Sequence, residues 1–158
     1  MANYSIDNLL GGTQQATSST YKTQISMTAA SGTALRRIKL YDLLLGTNGT
    51  PADNYIEWDV SRQTAAASGG TTATALPLDP ADAAALTVCY IDPTGEGTVT
   101  ANSTLFYIGV NQRASYRWVA APGSELVGPA TNLAGLAGRA RSGGYTGTVT
   151  MTMLFQEQ

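Results

Sequence analysis

Residues 105–121, LFYIGVNQRASYRWVAA, alternate with period two, and that pattern limits the chain to a β fold. Phe106, Ile108 and Val110 alternate with Tyr107, Gly109 and Asn111. Beyond Gln112 and Arg113, Ala114, Tyr116, Trp118 and Ala120 are set against Ser115, Arg117 and Val119. Successive strand side chains point to opposite faces, so the stretch predicts two strands joined by a polar turn, a hairpin. A two-stranded ribbon is marginal in water, and one this apolar has to cover a face with another sheet.

The remaining chain supplies strands for that purpose. Tyr21, Thr23, Ile25 and Met27 are predicted to share one face of a strand, opposite Lys22, Gln24, Ser26 and Thr28. A second strand is predicted over 35–45, with Ile38, Leu40 and Leu44 on one face and Arg37, Lys39 and Tyr41 on the other. A turn-rich loop, GTNGTPAD, follows, and then Ile56, Trp58 and Val60 alternate with Tyr55, Glu57 and Asp59. Residues 61–78 are rich in small and polar side chains and predict a long loop. In LDPADAAAL, Asp79 as a cap, Pro80 in the first turn and Ala83 to Ala85 predict one short helix. Residues 86–91 predict a buried strand, 125–127 a brief one, and 133–141 a strand interrupted by Gly135 and Gly138, where another backbone can approach closely. Thr146, Thr148, Thr150 and Thr152 alternate with Val149, Met151, Met153 and Phe155, the pattern of a central strand with one wet face.

About eight main strands and one short helix, with no strand–helix alternation, predict an all-β sandwich. Long corner connections favour an eight-stranded jelly-roll-like arrangement over an immunoglobulin-like one, which would show a Cys, Trp, Cys pattern. The chain of 158 residues fits one domain, and a domain of that size buries about 70% of its unfolded surface without staples. That domain is placed at 20–158, behind an extended N-terminal arm at 1–19. In the arm, Tyr4, Ile6, Leu9 and Leu10 precede an aperiodic GGTQQATSS. Ordering costs about 1–2 kcal/mol per residue, and burying a large apolar side chain returns about 1.5–3 kcal/mol. The arm is therefore expected either to order against a partner, with Ile6, Leu9 and Leu10 as anchors, or to complete the protein's own sheet as a terminal strand.

Charged residues make up 13% of the chain, about half the usual share. Either much of the surface is covered by another molecule, or a threonine-rich β surface is solvated directly. Net charge is −2, which offers no footprint for nucleic acid. Histidine is absent and the lone Cys89 lies in an apolar run, so imidazole and paired-thiolate metal sites are not expected, nor is a cysteine nucleophile with a histidine base. No cofactor is expected. No signal-like segment opens the sequence and no run of about 18 apolar residues occurs, so neither secretion by that route nor a membrane partner is expected. Glu57 and Asp59 share a strand face, which suits a carboxylate pair for glycoside hydrolysis, a hard-cation site, or simply a salt-bridged surface. Arg36, Arg37, Arg139 and Arg141 are candidates for a subunit or partner interface.

Several strings are more distinctive: YDLLLGTNGTPADN, DVSRQTAA, LPLDPADAAAL, and above all GVNQRASYRWVAAPGSELVGPATNLAGLAGRARSGGYTGT. Over residues 41–156 the chain resembles a group of small structural proteins of tailed bacteriophages, cyanophages among them, of the head decoration or cement type. The resemblance implies a non-enzymatic jelly-roll subunit, a homotrimer on the outer phage head that clamps major capsid proteins together, made in the bacterial cytoplasm and located on the virion. It assigns no catalytic residues. The rival expectation is a jelly-roll module of the tail or fibre tip that binds host-surface glycans, with Trp58, Trp118 or Tyr107 as a stacking platform.

Overall fold

The alternating segments pair into two antiparallel sheets that face each other across one apolar interior. The computed structural model describes residues 1–9, 14–29, 32, 34–50 and 52–158. Among them the strands are β1 (Asn3–Asp7), β2 (Lys22–Thr28), β3 (Ile38–Thr47), β4 (Tyr55–Ala65), β5 (Thr71–Thr74), β6 (Leu76–Pro77), β7 (Val88–Ile91), β8 (Thr98–Asn111), β9 (Tyr116–Val119), β10 (Leu126–Gly128), β11 (Gly135–Arg141) and β12 (Val149–Glu157). Sheet A runs β6-β1-β12-β3, and the far edge of β3 is shared by β10 at residues 38–40 and β9 at residues 42–45. Sheet B runs β5-β7-β2-β11-β4-β8. Ile6, Leu40, Leu43, Met151, Met153 and Phe155 from sheet A meet Ile25, Met27, Trp58, Val60, Ile91 and Leu136 from sheet B in a single core. The chain is an all-β sandwich.

Four expectations are corrected. The first is the helix: residues 79–82 form a turn, with Asp79 Oδ1 accepting from the Ala81 amide at 2.9 Å and the Asp79 carbonyl from the Asp82 amide at 3.0 Å, and residues 83–85 are irregular. Three alanines cannot offset the cost of a helical nucleus when the aspartate already has a local backbone bond. The second is the long loop at 61–78, which contains the end of β4 and all of β5 and β6. Two of its polar side chains, Ser61 and Gln63, are buried, and Gln63 Nε2 donates to Ser26 Oγ at 2.7 Å.

The third correction is the hairpin. The two strands form, but β8 pairs with β4 in sheet B and β9 pairs with β3 in sheet A. Their aromatic faces meet across the mouth of the sandwich, Phe106 lying 5.7 Å from Trp118 and 6.3 Å from Tyr116.

The fourth is the arm. Asn3–Asp7 is a strand held between β12 and β6, and Tyr4 and Ile6 are part of the core, with the Tyr4 ring 5.5 Å from that of Phe155. The terminal-strand alternative describes this stretch, and the boundary at 19/20 separates no loose arm from the domain. Residues 14–17 are also tied down: Gln15 N donates to Asp92 Oδ1 at 3.1 Å, and Thr17 N to the Gly147 carbonyl at 2.9 Å. Leu10 lies outside the described residues.

Two β-bulges redirect side chains. In the β2–β11 pair the register skips Gln24, so Ile25 faces Gly138 on the core side while Thr23 faces Arg139 on the outer side. Tyr21 and Thr23 thus leave the core face shared by Ile25 and Met27. In the β3–β12 pair the register skips Tyr41; Leu40 and Leu43 both enter the core and Leu44 turns outward.

Ile6→Ala is expected to cost about 2–5 kcal/mol in denaturant unfolding, as for other buried isoleucines, and deletion of residues 1–9 to abolish the cooperative transition. A second expectation concerns Asp92, which is buried, lies in the left-handed region at φ 47° and accepts from Asn8 and Gln15. Burial raises its carboxyl pKa above the ordinary aspartate range. The folded state therefore holds the proton more tightly than the unfolded chain, and this group's contribution to stability is lost as pH rises from the ordinary value through the raised one. Asp92→Asn, which suits that backbone conformation, should be more stable relative to wild type at pH 7 than at pH 4, measured as paired urea midpoints.

Candidate functional surface

The outer faces of the two sheets differ. That of sheet B is partly covered by the chain itself: the connections 66–70 and 92–97 are bridged to each other through Ser68 and Gly95. Ser26 Oγ accepts from the Ala67 amide at 3.4 Å, and Glu96 accepts from the Thr23 amide at 3.0 Å. Beneath and beside these connections runs a polar ladder. Arg139 and Arg141 on β11 stand directly opposite Asp59 and Glu57 on β4. Arg139 Nε donates to Asp59 Oδ1 at 2.9 Å and its Nη2 bonds the other oxygen, while Arg141 Nε bonds Glu57. The Tyr21 ring, brought outward by the Gln24 bulge, packs 4.7 Å from both guanidinium carbons. Tyr107 Oη donates to the second Glu57 oxygen at 2.9 Å.

Asp59 is only 2% exposed, so its charge depends on Arg139 for compensation. The hydrogen bond from Arg141, helped by that from Tyr107, holds the Glu57 carboxyl below the usual glutamate range. The candidate carboxylate pair is thus spent on arginines, and the salt-bridged reading describes it. Cys89 is buried, which pushes its thiol up to about 12. Among the described residues no group of three or more His, Cys, Asp or Glu side chains is placed to hold a metal ion.

The outer face of sheet A is open. One row across it reads Leu76, Ser5, Leu154, Asp42 and Val119, each the cross-strand neighbour of the next. The adjacent row reads Asp7, Thr152, Leu44 and Arg117. Leu76 is 60% and Val119 57% exposed. Arg117 clasps the buried Asp42 through Nε and Nη2, at 3.0 and 2.5 Å, and keeps most of its own side chain in solvent. Beside it lies a groove of about 320 Å³, floored by Leu44, Gly46, Thr150 and Thr152 and walled by Ser115 and Arg117. The face therefore presents isolated apolar side chains among threonines, with its one buried carboxylate neutralised. That composition suits broad contact with another protein surface better than it suits a reaction.

The seven predicted interface residues do not converge. Ile6 is in the core, Leu9 is exposed, and Leu10 is outside the described residues. Arg36 and Arg37 are both exposed in the segment before β3, where Arg37 Nη2 donates to Gln158 Oε1 at 3.0 Å. Arg139 and Arg141 are on the opposite sheet, engaged by carboxylates. Missed by the sequence reading were Leu44, Leu154 and Val119. Two signals pointed to them: the triplet Leu43–Leu45 must place a leucine on both faces of a strand, and Leu154 breaks a threonine series that otherwise marks the wet face.

Arg139→Ala should destabilise the fold by about 3–5 kcal/mol, the cost of leaving a buried carboxylate uncompensated. Arg113→Ala, which removes an exposed pair with Asp53, should cause a far smaller loss in the same urea titration. Comparison of the chain with family models, with curated proteins and with solved structures gives no match.

Proposed function

We propose that the chain is a decoration protein of a phage head, docking on the outer capsid and bracing contacts between major capsid proteins. The observation that carries this reading is the inequality of the two faces: loops cover the β2 side of sheet B, where Ser26 and Thr28 are buried, while sheet A leaves a broad, nearly neutral face with exposed Leu76, Val119 and Leu44. A passive clamp needs such a face and no reacting groups. The strand order supports the jelly-roll topology. Sheet A contains β1-β12-β3 followed by β9 and β10, and sheet B contains β2-β11-β4-β8, so, β5 to β7 aside, the chain changes layer at every step except β4 to β8 and β9 to β10, as in two interlocked Greek keys. β5, β6 and β7 are additions at the opposite edges. The sequence resemblance supports the virion location and a homotrimer, which matches the three-fold positions of a capsid.

The glycan-binding alternative has a narrower basis. Trp58 is buried in the core, and Trp118 packs against Phe106, so of the three platform candidates only Tyr107 stands free enough to stack on a sugar, and its hydroxyl is committed to Glu57.

Cryo-electron microscopy of the virion tests the proposal: density for the chain is expected on the head shell, and density confined to the tail tip overturns it. A double variant, Leu76→Asp with Val119→Asp, should keep the wild-type melting temperature and lose at least about tenfold in head binding, a loss of about 1.4 kcal/mol. Unchanged binding would remove sheet A as the docking face.

A further inference from the structure

Strand β8 is the free edge of sheet B, paired with β4 on one side and with no strand on the other among the described residues. Exposed edges invite pairing with another chain and are normally blunted by charge, proline or bulges. The first half of β8 has such a device. Its register against β4 shifts repeatedly, Asn102 lies at φ 57°, and Ser103 Oγ bonds the Thr100 carbonyl at 2.7 Å, so residues 100–103 bulge from the ladder. The second half has none. Residues 106–111 pair one for one with residues 55–60, and the whole of Thr98–Asn111 contains no charge and no proline.

That half is also incompletely covered. Phe106, Ile108 and Val110 point inward but are only half-buried, as are Tyr116 and Trp118 opposite them. On the outer side Tyr107 is 57% exposed, and a Cβ placed on Gly109 would meet nothing within 4 Å.

We propose that β8 pairs with β8 of a second copy, antiparallel about a two-fold axis at Ile108. The occupant follows from three features. Unpaired backbone groups call for a strand. A two-fold pair sets a segment against itself, so any charge would lie near its like, and this segment carries none. The register is selected by face and by shape: side chains facing one another across an antiparallel pair lie on the same face, and centring on Ile108 sets Tyr107 against Gly109 of the partner subunit. An aromatic ring laid over an edge glycine is a favourable cross-strand pair. The same register sets Phe106 against Val110 of the partner subunit and would finish burying the seam around Trp118. This pairing goes beyond the head-surface reading and does not depend on it: it joins copies two by two, whether single subunits or trimers.

The test uses the full chain. Sedimentation across the micromolar range should show the mass doubling with concentration, accompanied by a shift in Trp118 emission, with Trp58 already buried in the core. Gly109→Lys has open space for its side chain and should keep the wild-type melt while moving the association midpoint upward by at least about tenfold. Under mild oxidation, Tyr107→Cys and Gly109→Cys should cross-link to each other when mixed and neither to itself; Ile108→Cys should cross-link to itself, and Leu44→Cys should not. The native Cys89 is buried and stays silent. A wild-type mass independent of concentration overturns the pairing, as does association untouched by Gly109→Lys, or cross-linking equally strong at Leu44→Cys. A three-fold mass that does not double with concentration overturns it too, and leaves the trimer reading standing. Should Ile108→Cys fail to fold, the mixed pair at surface positions 107 and 109 still decides.

Discussion

The sandwich depends on how closely its central strands can approach, and two glycines of β11 set that distance. A Cβ on Gly138 would come within 2.2 Å of Met153 Cε and 2.4 Å of Met151 Sδ, so the absence of a side chain on sheet B is what lets two methionines of β12 fill the interior. A Cβ on Gly135 would lie 1.9 Å from the Met27 carbonyl oxygen and 2.8 Å from Thr28 Cα, so there the missing side chain admits the backbone of β2 itself. Methionine suits the first position because its unbranched chain bends into irregular space. With β11 fixed against β2, β4 and β12, Leu136 and Ala140 reach the core and Ala137, Arg139 and Arg141 are committed to the outer face. The polar ladder is a consequence of the same spacing that packs the core.

Period two made the strands legible and their partners illegible. Alternation reports which residues share a face, and it read β12 correctly, including the wet threonines. It carries nothing about which strand lies alongside, so two adjacent strands with a polar turn looked like a hairpin although β8 and β9 belong to different sheets. The phase errors have a local cause. Gln24 and Tyr41 are each the extra residue of a bulge, and neither is a glycine or a proline that would mark the break. Beyond each bulge every side chain changes face, which moved Tyr21 and Thr23 out of the core and Leu43 into it.

The same limit explains the N-terminal stretch. Its ordering cost and burial return nearly cancel when residues 4–10 are considered alone, and the decision falls to the ladder: β1 gains hydrogen bonds from β12 on one side and β6 on the other. Asn8 adds a long-range tie at the end of the strand, donating to the Val149 carbonyl at 2.9 Å and accepting from the Met151 amide at 2.9 Å. A buried asparagine that satisfies two backbone groups of another strand is strongly placed, because leaving those groups unpaired would cost more than the bond contributes.

Low charge means something different on each surface. On sheet B, Asp59 and Glu57 are consumed by Arg139 and Arg141, and on sheet A Asp42 is consumed by Arg117, so much of the chain's small charge complement is locked into structure. Apart from charges such as Asp7, Lys39 and Arg117, the outer face of sheet A carries serine, threonine and single apolar side chains, and the edge from Phe106 to Asn111 carries no charge, so these two regions have little electrostatic means of repelling a neighbour. Such a surface associates unless geometry prevents it. Geometry does prevent it over the β2 side of sheet B, where the connections at 66–70 and 92–97 lie, and along the bulged half of β8. It does not prevent it on the outer face of sheet A or beyond Phe106. Those two regions are where the proposed head contact and the proposed strand pairing fall, the first over a broad face and the second along one strand.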